Sequence, residues 1–273
     1  MTRTPTALIG LSALALGLGG CSFTGPTFKL DKATSAAHTV GMPIQVATRN
    51  GAISIQESAG LAVEITAHLK SKDELRVQQA VIDAVRTTDG TLTIGVTWPD
   101  GKWHNNDGCS FEIFVPDANG IVATSSNGSI TITGLTGAID ARTSNGRISI
   151  ASHDGPITVD TSNGRISIVD ATGVVNADTS NGSIKVTLAD DNPGPVNLDT
   201  SNGSVTLEVG PAFQGELVAD TSNGRVNFGP FAEHHAVTNM RVSKSDGAAT
   251  FGTGGERSVI DTSNGSVTIK GKS

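Results

Sequence analysis

The sequence predicts an all-β protein, a right-handed parallel β-solenoid (β-helix) of about eight coils with one short N-terminal capping helix. Three observations lead there: a four-residue word that recurs along the chain, strict alternation of apolar residues on both sides of it, and a repeat period close to 18 residues. Periods this regular belong to solenoids and related arrays, in which each unit is too small to bury its own core and leans on its neighbours.

The word is Thr-Ser-Asn-Gly, found at Thr143–Gly146, Thr161–Gly164, Thr179–Gly182, Thr200–Gly203, Thr221–Gly224 and Thr262–Gly265, with a Ser-Ser-Asn-Gly variant ending at Gly128. Its anchors Asn127, Asn145, Asn163, Asn181, Asn202, Asn223 and Asn264 are spaced by 18, 18, 18, 21, 21 and 41 residues. Val242–Gly247 reads as a worn copy inside the long gap, with Asp246 in the Asn place, and Thr48–Gly51 is an outlying copy upstream.

Positions six and four before each anchor are apolar, as in Ile139/Ala141, Ile157/Val159 and Val196/Leu198; only Ser258 breaks the rule. Three and five after it come Ile148/Ile150, Ile166/Ile168 and Val205/Leu207. Alternation over short β-branched runs marks half-buried strands. Each repeat is therefore a strand, an Asn-Gly corner, a second strand and a return. Four inward aliphatics contribute about 1.5–3 kcal/mol each, against about 1.5 kcal/mol of ordering cost for every residue, so one coil cannot fold alone. Asn-Gly between alternating runs is equally a hairpin signal, and an antiparallel meander would set Val159 opposite Ile168. That meander would leave one apolar face that a single helix cannot cover, which favours parallel stacking, right-handed by the crossover rule.

Residues 1–20 read as a lipoprotein signal peptide, with Arg3 ahead of an apolar run from Ala7 to Leu18. Leu18-Gly19-Gly20-Cys21 resembles the bacterial lipobox, which implies lipidation at Cys21 and a membrane anchor for the exported chain. Residues 21–43, rich in Thr, Ala, Gly and Pro, read as a tether. Residues 44–120 form an N-terminal β-rich cap region with a helix over 72–86: Ser71 and Glu74 make a capping box, and Leu75, Val81, Ile82 and Val85 share one side. The loop from Trp98 to Gly108 carries Trp98 and Trp103, which either cover a core edge or stack on a partner. Cys109 shares the apolar parity of Phe111, Ile113 and Val115. The solenoid repeats occupy 121–273.

At Phe111-Glu112-Ile113-Phe114-Val115-Pro116, followed by the first contiguous repeat, the chain resembles the bacterial putative-adhesin family of β-strand-repeat proteins. The resemblance runs from about Ile44 onward. It implies a β-solenoid at the cell envelope and offers no catalytic residues to carry over.

Composition argues against nucleic acid. Without Arg3 the chain holds 18 Lys and Arg against 26 Asp and Glu, a net charge of about −8 (18 − 26), with no basic stripe. His234-His235 lacks a third ligand at metal spacing, and no cofactor, metal or catalytic residue is expected. Ser and Asp are plentiful but occur in every coil, whereas a catalytic group occurs once in a special environment. The repeated Asn side chains are expected to stack as an internal ladder satisfying corner backbone groups, with Gly supplying a positive φ. Three before the anchors, Arg142 is followed by Asp160, Asp178, Asp199 and Asp220, and later by Asp261. This outward column, neutralised by Arg147, Arg165 and Arg225 or by cations, is the candidate binding surface together with the two tryptophans. The expected role is a non-enzymatic envelope scaffold or adhesin contacting envelope polysaccharide or protein; the alternatives are an envelope-stress accessory protein and a polysaccharide-active β-helix enzyme.

Overall fold

Each Asn-Gly word turns the chain from one sheet into another. The computed structural model describes residues 26–231 and 236–272. Among these the protein is all-β apart from one short helix, and its strands lie in two long mixed sheets, one of twelve strands and one of eleven. Strands that lead into the words, such as Ile157–Asn163 and Val175–Asn181, lie in the twelve-stranded sheet. Strands that leave them, such as Ile166–Ala171 and Ile184–Leu188, lie in the eleven-stranded sheet.

Pairing between repeats is parallel and places equal positions side by side. Val159 stands beside Ala141 and Ala177, and Ile168 beside Ile150 and Val186. The hairpin pairing of Val159 with Ile168 is thus absent. Inward positions of both sheets, from Ile44 to Ile269, form one continuous apolar cluster. Alternation produces it directly, because successive side chains of a strand point to opposite faces.

Strand order departs from chain order near the C-terminus. Ser258–Asn264 lies between Val196–Asn202 and Gly215–Thr221, so the last word in sequence is the penultimate one in space. This explains the one break in the apolar rule. Ser258 is fully buried, and its Oγ accepts the backbone N–H of Val196 at 3.1 Å, a donor that a Val there would leave unmade. The worn copy does not continue the parallel series either: Asp246–Phe251 runs antiparallel to Gly215–Thr221, and Val237–Val242 is antiparallel to it in turn.

The N-terminal end differs from expectation in two ways. Phe28–Ala37, inside the predicted tether, is a strand antiparallel to Ala62–Ser71 and forms the edge of the eleven-stranded sheet. Helix α1 spans only Glu74–Gln79, and Val81–Arg86 is a strand antiparallel to Leu92–Thr97. Val81, Ile82 and Val85 are β-branched and favour the pleated surface; the expected apolar helix side does not exist, since Leu75, Val81 and Val85 are more than half exposed. The capping box is also replaced. Asp73 caps the helix by accepting Leu75 N–H at 2.9 Å, while Ser71 Oγ donates to Asp107 Oδ1 at 2.7 Å. Lys32 donates to the carbonyls of Gln78 and Ala80 at the other helix end, fastening it to the first strand.

Candidate functional site: an acidic row on one sheet face

The corners set the register of everything outside them. In each word the Thr points inward and is nearly or fully buried; Thr161 Oγ1 donates to the Gly146 carbonyl of the preceding repeat at 3.1 Å, and Thr179 Oγ1 to that of Gly164 at 3.1 Å. The Asn side chains form a ladder, Asn163 Nδ2 donating to Asn145 Oδ1 at 3.1 Å and Asn181 Nδ2 to Asn163 Oδ1 at 3.0 Å. The series runs Asn50, Asn127, Asn145, Asn163, Asn181, Asn202, Asn264, Asn223.

This ladder is not internal, since the word asparagines from Asn127 to Asn264 are solvent-exposed, and the buried polar residue that needs a partner is the Thr. Parity carried that signal, because the Thr lies two places after the second inward aliphatic. Asp246 is not a rung, whereas Asn50 of the upstream copy is. The word glycines do not adopt a positive φ. They are required by close approach: a Cβ on Gly164 would come within 1.8 Å of the Gly146 carbonyl oxygen.

With the register fixed, the residues three before the anchors fall into one line. Arg142 stands beside Asp160, Asp160 beside Asp178, Asp178 beside Asp199, Asp199 beside Asp261 and Asp261 beside Asp220. The antiparallel strand adds Asp246 opposite Asp220. Six exposed aspartates therefore cross six adjacent strands, about 4.8 Å apart per step. Asp261 fills the place between Asp199 and Asp220 that chain order assigns elsewhere.

The charges in this row are not neutralised by arginine as anticipated. Arg147 and Arg165 lie past the corner, directly before the strands of the other sheet, and Arg165 Nε donates to Ser183 Oγ at 3.0 Å. Arg142 pairs with Asp140 at 2.9 Å. Among the described residues no ion pair joins Arg147, Arg165 or Arg225 to the row. Partial burial and the charge of Asp160 hold the Asp178 carboxyl above the usual range; burial and the charges of Asp178 and Asp261 do the same for Asp199. A shallow groove of about 280 Å³ runs along the first half of the row, with Arg142 at its end and Thr158, Asn176 and Asn197 beside Asp160, Asp178 and Asp199. Carboxylates flanked by amides and a hydroxyl can accept and donate hydrogen bonds to a sugar or hold a cationic side chain. Among the described residues no group of three or more His, Cys, Asp or Glu is placed to hold a metal ion.

The tryptophans do not join this surface. Trp98 is 1% exposed, lies edge-on to Trp103 at 5.6 Å and is covered by the Arg76 guanidinium at 5.5 Å. Arg76 in turn binds Asp107 at 2.6 Å and Asp100 at 3.0 Å. Trp98 therefore has no face left for a ligand. Cys109 is buried, and burial pushes its thiol up to about 12. Cys21 and the His234-His235 pair lie outside the described residues.

No family model and no curated protein matches this chain. Solved structures with a similar backbone include a putative adhesin from Bacteroides fragilis NCTC 9343, 15% identical with a TM-score of 0.44, over 90% of this chain and 97% of that one. A putative cell adhesion protein from Clostridium sporogenes ATCC 15579 is 10% identical with a TM-score of 0.34, over 90% and 100% of the two chains. A putative adhesin from Parabacteroides merdae ATCC 43184 is 13% identical with a TM-score of 0.35, over 89% and 96%. Likeness this distant assigns neither a family nor a role. No helix among the described residues is long and apolar enough to cross a membrane, which says nothing of strands.

Proposed function

We propose that this is a non-enzymatic envelope protein, exported and lipid-anchored through Cys21, whose repeats wind as a right-handed parallel solenoid of about eight coils and present a polar face to envelope polysaccharide or protein. The parallel register between repeats and the alternation of strands between two sheets support the solenoid, and the crossover rule supports its hand. The observation that carries the functional reading is the uninterrupted row from Asp160 to Asp246. Like charges directly opposite on neighbouring strands are destabilising, so a fold that aligns six of them, with no ion pair to the row among the described residues and Arg142 at its end turned to Asp140, supports a role for that face outside the fold. Repetition favours a surface that grips an extended partner over a site that turns one over. The same row repels nucleic acid phosphates.

The test is capture on an array of envelope glycans and from whole-envelope extracts, comparing the exported chain with its Asp178→Asn/Asp199→Asn variant. A retained, specific partner that the variant loses is expected. Release of shortened glycan would instead establish turnover, and equal capture by the variant would remove the row from the interaction. Anchoring is tested separately: Cys21→Ser should abolish fatty-acid labelling and detergent partitioning, and an unlabelled native chain would mean simple secretion.

A further inference from the structure

The last corner of the ladder is built differently from the rest. In the regular corners the Gly N–H donates to the Asn carbonyl of the next repeat, Gly146 to Asn163 at 3.2 Å and Gly164 to Asn181 at 3.0 Å. Among the described residues no repeat lies beyond Asn223. The turn Ser243–Asp246 covers this end instead: Ser245 carbonyl accepts Thr221 N–H at 2.8 Å, and Lys244 carbonyl accepts Val226 N–H at 3.1 Å. Between these two bonds, Ser222 and Asn223 N–H donate back to the Thr262 and Ser263 carbonyls at 3.2 and 2.9 Å, and Gly224 N–H has no acceptor among the described residues.

An open cleft of about 640 Å³ lies there, lined by Ser222, Asn223, Arg225, Lys244, Ser245 and Ser266. Among the described residues the lining holds two cations and no carboxylate, in a chain of net charge −7. Arg225 and Lys244 have no acidic partner among the described residues, and the nearby Asp246 carboxylate is engaged by the Ser243 hydroxyl. Several other cations are matched, among them Lys270 with Glu208 at 3.0 Å, Lys272 with Asp190 at 2.7 Å and Arg76 with Asp107.

We propose that this terminal cleft binds a phosphate group carried on a sugar. A guanidinium, an ammonium, serine hydroxyls and a free backbone N–H supply more donors than a carboxylate's two oxygens need, and they suit the several acceptor oxygens of a phosphate. The volume exceeds that of a bare phosphate and falls in the range of small-molecule sites, which leaves room for the attached ring. Exposed hydroxyls and the Asn223 amide are the groups that would meet sugar hydroxyls. This site adjoins the Asp246 end of the acidic row, and none of the row's carboxylates is among its lining residues.

Isothermal titration of the exported chain with glucose 1-phosphate, inorganic phosphate and glucuronate tests the proposal. Saturable binding of glucose 1-phosphate is expected, weaker binding of inorganic phosphate and none of glucuronate. Arg225→Gln/Lys244→Gln should weaken the sugar phosphate by about tenfold or more with an unchanged melting temperature, and Arg225→Lys should keep part of the affinity. Asp178→Asn should leave it unchanged. No saturation with glucose 1-phosphate, equal affinity in the double variant, or equally tight glucuronate would overturn a phosphate site. Inorganic phosphate binding as tightly as the ester would overturn the sugar.

Discussion

Asp107, in the loop before Gly108–Val115, and Asp178, on a strand, are both aspartates of an acidic chain, and their surroundings are opposite. Asp107 is 1% exposed and satisfied on every side: Arg76 binds it at 2.6 Å, Ser71 donates to it at 2.7 Å, and His104 N–H donates at 2.8 Å. Burial works to raise its pKa, and these bonds outweigh burial and hold it below the usual carboxylate range. Asp178 is exposed between two other aspartates, and burial and repulsion move it the other way. A carboxylate that serves the fold is bought with partners; one that is left aligned and unpartnered is a candidate for something outside the fold.

The largest effect should come from breaking the first kind of site. Arg76→Ala leaves Asp107 buried without its cation and uncovers Trp98, and should cost about 3–5 kcal/mol, the range for removing one member of a buried pair. Equilibrium denaturation measures it. A loss no greater than that of an exposed substitution would mean that Asp107 is neutral in the fold and that the contrast with Asp178 is one of exposure alone.

A middle-sized effect is expected at the corners, where the same contrast recurs within one word. Thr161→Ala removes the buried donor to the Gly146 carbonyl and should cost about 1–3 kcal/mol, whereas Asn163→Ala cuts an exposed rung and should cost less than about 1 kcal/mol. Gly164→Ala should exceed both, because the new Cβ meets backbone rather than a movable side chain. Equal losses at Thr161 and Asn163 would put the corner's energy in the ladder after all.

Much of this was legible in the sequence. Alternation around Asn145, Asn163 and Asn181 gave the strands, their inward residues and the acidic column by counting alone. What counting missed were features fixed by contacts distant in the chain. Nothing within Ser258–Asn264 says that it slips between Val196–Asn202 and Gly215–Thr221, so the continuity of the row through Asp261 was invisible. Lysine, serine and alanine in Phe28–Ala37 look like tether, and pairing with Ala62–Ser71 makes them a strand. Val81 and Val85 fit a helix or a strand by spacing, and tertiary pairing with Leu92–Thr97 decided. The need for glycine is legible in each word and its cause is not, since a column of glycines in contact looks, one word at a time, like a series of turns.

The smallest effect is the most informative about the row. Asp178→Asn/Asp199→Asn removes like-charge contacts among Asp160, Asp178, Asp199 and Asp261, worth about 0.2–1 kcal/mol for each cross-strand pair and less at high salt. The variant should therefore be more stable than the native chain at pH 7. Because the folded state raises both pKa values above those of the unfolded chain, it takes up protons first as pH falls. The native chain's deficit is then present above the folded pKa values and disappears as pH drops through them, to nothing below the unfolded carboxylate range. Melting temperatures of the two proteins should converge on acidification, and Arg76→Ala should converge with the native chain too, but from the less stable side: the stability that Asp107 gains from Arg76 exists only while the carboxylate is charged, so it is full above the unfolded range and is lost as Asp107 protonates at lower pH. A double variant that is less stable at pH 7 would show that the row is neutralised within the fold, and its alignment would need no external partner.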